Sequence, residues 1–175
     1  MLKKFIPKRI ETLGVEILLR EAQKKDLKAL NRIVNEPEVN KFICFQAPVR
    51  METTSGHYLE KKRAGEPWIV VIFQGKVAGS IDLKPKSGRE SHVSDFGVAF
   101  SKEVHGKGIA EASVRCFFAW LARNGIKKIV SSVISDNERA RAFYKKLGFG
   151  ELCLLSRNCK RGKRYLDTIV IEKFL

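Results

Sequence analysis

The chain is poor in cysteine, histidine and acidic residues. Its four cysteines, Cys44, Cys116, Cys153 and Cys159, lie far apart, form no Cys-x-x-Cys pair and are accompanied by only three histidines. That pattern argues against a zinc site and for reduced thiols, with Cys116 a core residue on an apolar helix. No metal is expected. Long apolar runs are also missing. The longest, Cys116 to Ala122, falls well short of the roughly 18 residues of a membrane span, so no membrane partner is expected. The basic start Met1-Leu2-Lys3-Lys4 is not followed by the apolar segment of a secretory signal. A cytoplasmic location is the reading these absences support. Repeats, low-complexity tracts and linkers are absent too. The 175 residues (1–175) therefore read as a single domain, with residues 1–13 as a basic, irregular extension.

The acidic deficit is large: 19 Asp and Glu against 34 Lys and Arg, a formal charge of +15. Such a charge serves nucleic-acid binding, attraction of an acidic ligand, or solubility. Lys and Arg are scattered along the whole chain, and no aromatic RNA-binding signature interleaves them. That weighs against a specific nucleic-acid partner.

The chain alternates strand and helix patterns. Val15 to Leu19 reads as a strand and Ala22 to Val34 as a helix, broken at Glu36-Pro37-Glu38. Phe42 to Pro48 is a loop, and Glu52 to Arg63 a second helix ended by Gly65. Trp68 to Phe73, Val77 to Leu83 and Val93 to Phe100 form three strands, the first two joined at Gln74-Gly75-Lys76. This predicts an antiparallel meander. A largely apolar helix spans Gly108 to Asn124, and a strand follows at Ile126 to Ile134, parallel to its predecessor because a helix separates them. Ser135-Asp136-Asn137-Glu138 has the form of a capping box before the next helix, which Gly148 ends. Phe149 to Leu155 and Tyr165 to Glu172 are the last strands, joined by the basic loop Arg157 to Arg164.

One stretch carries the chemistry. Asp95 to Ala110 passes from an apolar strand through a polar turn into Gly106-Lys107-Gly108 and the apolar helix beyond. Glycines let the backbone approach a ligand closely, and the free N–H groups of a first helical turn attract an anion. Lys107 adds positive charge. Taken alone, the pattern is equally a tight turn before a helix.

Further on stand Asp136-Asn137 and the run Phe143-Tyr144-Lys145-Lys146-Leu147-Gly148-Phe149. Together with His105-Gly106-Lys107-Gly108-Ile109-Ala110, this order resembles the GCN5-related N-acetyltransferase superfamily. Its signature is Arg or Gln, two residues, Gly, one residue, then Gly or Ala. The first position here is His105; the other five fit. The order of elements outside the two motifs agrees over nearly the whole chain.

The resemblance implies an α/β fold: a mixed, mostly antiparallel sheet flanked by helices, with the strands around Val98 and Val130 parallel and splayed. It implies an acetyl-CoA-dependent N-acetyltransferase in which a primary amine attacks the thioester directly, without a covalent enzyme intermediate. The backbone of His105, Gly106, Lys107, Gly108, Ile109 and Ala110 would cradle the pyrophosphate. Val98 and Phe100 would pair with the pantetheine amides as an added strand does. His105 is either a phosphate contact or an exposed loop residue. Asn137 would hydrogen-bond the pantetheine arm, cap a helix, or do both. Tyr144 would protonate the departing thiolate, the alternative being a core tyrosine. Asp95 would take the amine proton, the alternatives being a solvated carboxylate or one that binds the amine. Glu66 is a second candidate base, and Asp167 is read as structural. The acceptor would be a small-molecule amine or a peptide N-terminus, as in ribosomal-protein acetyltransferases; a homodimer is left open. A non-catalytic CoA-binding or nucleic-acid-associated protein is the rival of another class.

Overall fold

The computed structural model describes residues 2–44 and 48–175. β1 (Lys8–Thr12) and β2 (Val15–Glu21) form a hairpin. A 3-10 turn at Lys24–Asp26 leads into α1 (Leu27–Val34), followed by α2 (Pro37–Asn40) and α3 (Met51–Ala64). The meander β3 (Trp68–Phe73), β4 (Lys76–Pro85) and β5 (Val93–Phe100) comes next. Then follow α4 (Ile109–Arg123), β6 (Lys128–Ile134), α5 (Glu138–Lys146), β7 (Gly150–Arg161) and β8 (Arg164–Phe174). Among the described residues the strands make one eight-stranded sheet in the order β1-β2-β3-β4-β5-β6-β8-β7. All neighbours are antiparallel except β5 and β6. This is the mixed, mostly antiparallel α/β architecture expected, with its single parallel pair.

Alternation along the strands sends apolar side chains to both faces. Ile69, Val71, Ile81, Leu83, Phe96 and Ile129 pack with Val114, Phe117, Phe118 and Leu121 of α4 and with Tyr144 of α5. Val70 and Trp68 turn the other way, onto Leu27 and Leu30 of α1 and Met51 and Tyr58 of α3. Each fully buried aliphatic or Phe side chain contributes about 1.5–3 kcal/mol by leaving water, which is what clamps the helices onto the sheet. Gly79 is required at its place: a Cβ there would stand 2.3 Å from the Phe100 ring, which lies across it.

Five expectations are corrected. The N-terminal extension is not irregular throughout, because Lys8–Thr12 is held by backbone pairing to β2. With Ile10 its only aliphatic residue, it offers no hydrophobic alternation to read. The first helix starts later than Ala22. Asp26 accepts from Arg20 at 2.6 and 2.8 Å and from the Gln23 N–H at 2.8 Å, which holds the preceding turn as 3-10. The basic stretch Arg157 to Arg164 is a hairpin rather than a loop: β7 runs on to Arg161 past a bulge, with Arg157 at φ +55°. The cap of α5 is Asn137, not Ser135; its Oδ1 accepts from the Ala140 N–H at 3.2 Å.

The fifth correction concerns the thiols. Cys44 and Cys159 are bonded to each other, with Cα atoms 5.7 Å apart and 115 residues between them. The bulge in β7 turns Cys159 inward to 5% exposure, beside the chain that follows α2. There Arg161 also donates to the Lys41 carbonyl. Cys116 and Cys153 are free, and Cys116 packs against the core as expected. Of the loop read at Phe42 to Pro48, residues 45–47 lie outside the described residues.

Candidate active site

β5 and β6 pair only over Val93–Asp95 and Lys128–Val130, and beyond that point they part. The ladder on the other side of β5 settles which groups face the gap. Ser101 N–H donates to the Ala78 carbonyl and Lys86 N–H to the Val93 carbonyl, each at the ends of the β4–β5 register. Hydrogen-bonded pairs alternate along an antiparallel ladder. The residues directed at β4 are therefore Asp95, Gly97 and Ala99. Phe96, Val98 and Phe100 present their N–H and C=O groups to the gap. Ser131 of β6 reaches across and donates to the Phe96 carbonyl at 2.6 Å, as that geometry requires. A cavity of about 1310 Å³ opens here, lined by Phe96 to Phe100, Ser131 to Ile134, Tyr144 and the start of α4. A second depression, about 420 Å³ beside Arg9 and Phe73, brings no reacting groups together.

At one end of the cavity the chain enters α4. Gly106 and Gly108 hold φ of +74° and +70°, the left-handed region that glycine adopts without strain. Gly108 is the N-cap of α4, so the N–H groups of the first turn beyond it have no helical carbonyl to meet. The N–H groups of His105 and Lys107 are used inside the turn, donating to Lys102 and Val104 at 3.1 and 3.4 Å. The groups left to an anion are those of Gly106, Gly108, Ile109 and Ala110. Lys107 Nζ sits 6.0 Å from the centroid of the Phe73 ring.

His105 is not a free loop residue. Its Nε2–H donates to the Phe100 carbonyl at 3.0 Å, and Nδ1 accepts from Arg139 at 2.9 Å. Burial and the adjacent guanidinium hold the imidazole below its ordinary value. The positive charge at this corner therefore belongs to Arg139, which also donates to the Glu38 carbonyl at 3.2 Å. Sequence reading missed Arg139; one arginine on a basic helix gives no local signal.

Tyr144 is 7% exposed and lies among Phe96, Phe143 and Phe149, yet it lines the cavity beside Ser131. Burial pushes the phenol up to about 12, opposed by a hydrogen bond with Ser131. An ordinary thiol titrates near about 8.5, so a complete proton transfer from this phenol to a thiolate is uphill. What the hydroxyl offers at neutral pH is a fully protonated group at the cavity wall, beside Ser131. Asn137 is 7% exposed, caps α5 and also lines the cavity.

The sequence-predicted base candidates separate. Asp95 is exposed and lines the cavity. Glu66 is committed to Lys61, whose Nζ donates to Oε2 at 2.8 Å. Asp167 accepts from the Arg157 N–H at 2.7 Å in the hairpin bulge, a structural position as expected.

Lys61 belongs to a network that sequence reading overlooked. Its ammonium is 5% exposed as a residue and also donates to the Leu83 carbonyl at 2.7 Å. It stands 2.8 Å from Asp82 Oδ1 as an ion pair; that oxygen is buried, and the contact is one of charge, not an aligned hydrogen bond. Burial opposes ionisation of both groups. The His57 hydrogen bond and the Lys61 charge nonetheless hold Asp82 below its ordinary value, and Asp82 and Glu66 hold Lys61 above its own. Asp82 Oδ2 lies 2.9 Å from Nε2 of His57, whose ring meets Trp68 edge-on at 4.8 Å. The legible signals were an aspartate in an apolar strand and His57 and Lys61 four residues apart on α3.

Among the described residues no group of three or more His, Cys, Asp or Glu could hold a metal ion, and no helix is long and apolar enough to cross a membrane.

The family model described as acetyltransferase (GNAT) domain matches residues 16–150. The chain is 31% identical over 167 residues to the L-amino acid N-acetyltransferase AaaT of Escherichia coli (strain K12), covering 90% of this chain and 98% of that protein. Among solved structures it resembles the ribosomal-protein-alanine N-acetyltransferase of Brucella melitensis, with TM-score 0.78 at 22% identity over 90% and 99% of the two chains. It also resembles the phosphinothricin acetyltransferase of Sinorhizobium meliloti, solved in complex with AcCoA, with TM-score 0.78 at 21% identity over 90% and 87%. At those identities the structural likenesses show the fold.

Proposed function

The chain belongs to the acetyltransferase (GNAT) family, and we propose that it transfers the acetyl group of acetyl-CoA to the primary amine of an amino acid by direct attack in a ternary complex. Acetyl-CoA dependence comes with the family. The observation that carries the reading for this chain is the unpaired edge of β5, which faces a cavity ending at the free N–H groups of Gly106, Gly108, Ile109 and Ala110.

A pantetheine arm carries amides, and the gap offers it a strand edge at Val98. The Phe100 carbonyl is already taken by His105, which leaves the Phe100 N–H for the ligand. A pyrophosphate meets the N-terminus of α4, where partial positive charge and free donors coincide. Arg139, Lys107 and the overall basic charge add attraction. With the donor so placed, a backbone N–H at the gap polarises the acetyl carbonyl, and Tyr144 donates a hydrogen bond to the sulfur as the C–S bond breaks.

The acceptor side supports an amine. Glu60, Asp82 and Asp95 line the same cavity and draw a protonated amine toward the gap. An amino acid is the acceptor named for the E. coli relative, which this chain matches over nearly its full length. The test is thiol release from acetyl-CoA across free L-amino acids, polyamines and N-terminal peptides. Turnover is expected with amino acids. Turnover confined to peptides would move the acceptor to protein N-termini. Donor binding without turnover on any acceptor would mark a non-catalytic CoA-binding protein.

A further inference from the structure

The attacking amine arrives mostly as an ammonium ion and must lose a proton before it has a lone pair to use. Asp95 is exposed at the cavity wall, and among the described residues no side-chain hydrogen bond or ion pair orients it for this task. The network around Asp82 has. His57 and Lys61 lie one helical turn apart on α3, so both reach the same residue of β4. That residue, Asp82, stands directly across the ladder from Gly97, between the two β5 residues that face the gap, Phe96 and Val98. Trp68 stands across from Asp82 on the other side and fixes the imidazole by its edge. The whole row opens into the cavity.

Each member constrains the next. Lys61 is buried and bonded to Glu66 and the Leu83 carbonyl, so its charge beneath Asp82 cannot move away. Asp82 is thereby kept as a carboxylate, which can only accept. Nε2 of His57 must then carry the hydrogen that Asp82 receives, and Nδ1 holds the free lone pair.

We propose that His57 removes the proton from the acceptor's ammonium group, with Asp82 as its positioning residue and Lys61 as the counter-ion that keeps Asp82 charged. This rests on the acetyl-transfer reading above. The ammonium N–H bond breaks, its electron pair stays on nitrogen, and the proton joins Nδ1. The pair then forms the N–C bond to the thioester carbonyl carbon while the carbonyl π electrons move onto oxygen. They return as the C–S bond breaks with its electrons on sulfur, which is met by the Tyr144 hydroxyl. The nitrogen, cationic once bonded to carbon, gives its second proton to solvent, and solvent protonates the thiolate. The imidazolium, stabilised by Asp82, returns its proton to water. The charged groups that line the cavity with His57 are the carboxylates Glu38, Glu60, Asp82, Asp95 and Glu111 and the cations Arg139 and Lys146; Lys61 and Glu66 act from behind Asp82. Of these, Asp82, 2.9 Å from Nε2, is the one in contact with the ring.

The experiment is the pH profile of kcat/KM for thiol release, measured with acetyl-CoA affinity and thermal stability for wild type, His57→Gln and Asp82→Asn. His57→Gln should lose about a hundredfold at neutral pH, keep its affinity for acetyl-CoA, and lack the acidic limb of the profile. Asp82→Asn should lower kcat while acetyl-CoA affinity and stability stay near wild type, and Asp82→Glu should restore part of the rate. His57→Ala leaves a space beside Trp68, and free imidazole should restore part of its rate, which keeps the test valid if the Gln variant folds poorly. An unchanged acidic limb in His57→Gln, or no imidazole rescue, overturns the assignment and returns the proton to Asp95 or water. Wild-type protein that binds acetyl-CoA and turns over no amine overturns the acetyl-transfer reading itself, and this assignment with it.

Discussion

Arg139 donates to Nδ1 of His105 at 2.9 Å, and this contact joins burial in keeping uncharged the ring that stands where the family signature has Arg or Gln. The imidazole is neutral, and the guanidinium beside it supplies the cation. Burial and Arg139 lower the folded pKa of His105 from 6.5. The unfolded chain therefore takes up a proton, below pH 6.5, that the folded imidazole refuses. Stability is whole above that value and falls as pH drops through the window between the unfolded and folded values. Arg139→Gln should raise the His105 titration, read by NMR, flatten that loss, and weaken acetyl-CoA binding through the missing charge. An unchanged titration would show that burial alone sets the ring's charge.

The anion cradle is tested at Gly106. A Cβ there meets nothing within 4 Å, whereas one at Gly108 would press on Leu13 at 3.2 Å. Both glycines have positive φ, so any substitution carries strain, least for Asn and Asp. Gly106→Asn serves as the control for strain, and Gly106→Asp adds charge with nearly the same shape. Calorimetry should find acetyl-CoA affinity at least tenfold lower in the Asp variant than in the Asn variant, about 1.4 kcal/mol. Equal affinities would remove the phosphate from this loop.

Lys61 neutralises two carboxylates from a site with 6% side-chain exposure. Breaking a fully buried pair costs roughly 3–5 kcal/mol. Glu66 and Asp82 retain 19% and 35% side-chain exposure, so solvent screens part of what is lost. Lys61→Met should destabilise by about 2 kcal/mol in denaturant titration. It should also raise the Asp82 titration, so that the loss grows as pH rises and that carboxylate ionises without its partner. A variant as stable as wild type at all pH values would show that the ion pairs contribute nothing net.

What could be read from the sequence was local. β5 matches its expected span, Val93 to Phe100, because the apolar run is bounded by turn residues, and Gly106 and Gly108 mark the entry to α4 within a few positions. Tyr144 and Asn137 fall in the cavity because α5 directly follows β6. The row around Asp82 was hidden because it is made by pairing. Trp68, Asp82 and Gly97 meet only when β3, β4 and β5 register, and His57 joins them from a helix that precedes all three. Cys44 and Cys159 were concealed in the same way, since nothing near either residue points to the other across 115 positions. β1 escaped notice for a different reason: its strand is specified by the hairpin partner rather than by its own side chains.

In the proposed reaction acetyl transfer takes place in the gap between β5 and β6, beside Tyr144. Tyr144→Phe keeps the ring against Phe96, Phe143 and Phe149 and removes only the oxygen. The measurement is the maximal rate of thiol release by this variant, taken with its dissociation constant for acetyl-CoA. The predicted result is a rate lower by roughly ten- to a thousandfold with donor affinity nearly unchanged. A maximal rate equal to that of wild type, with the donor still bound, would contradict it.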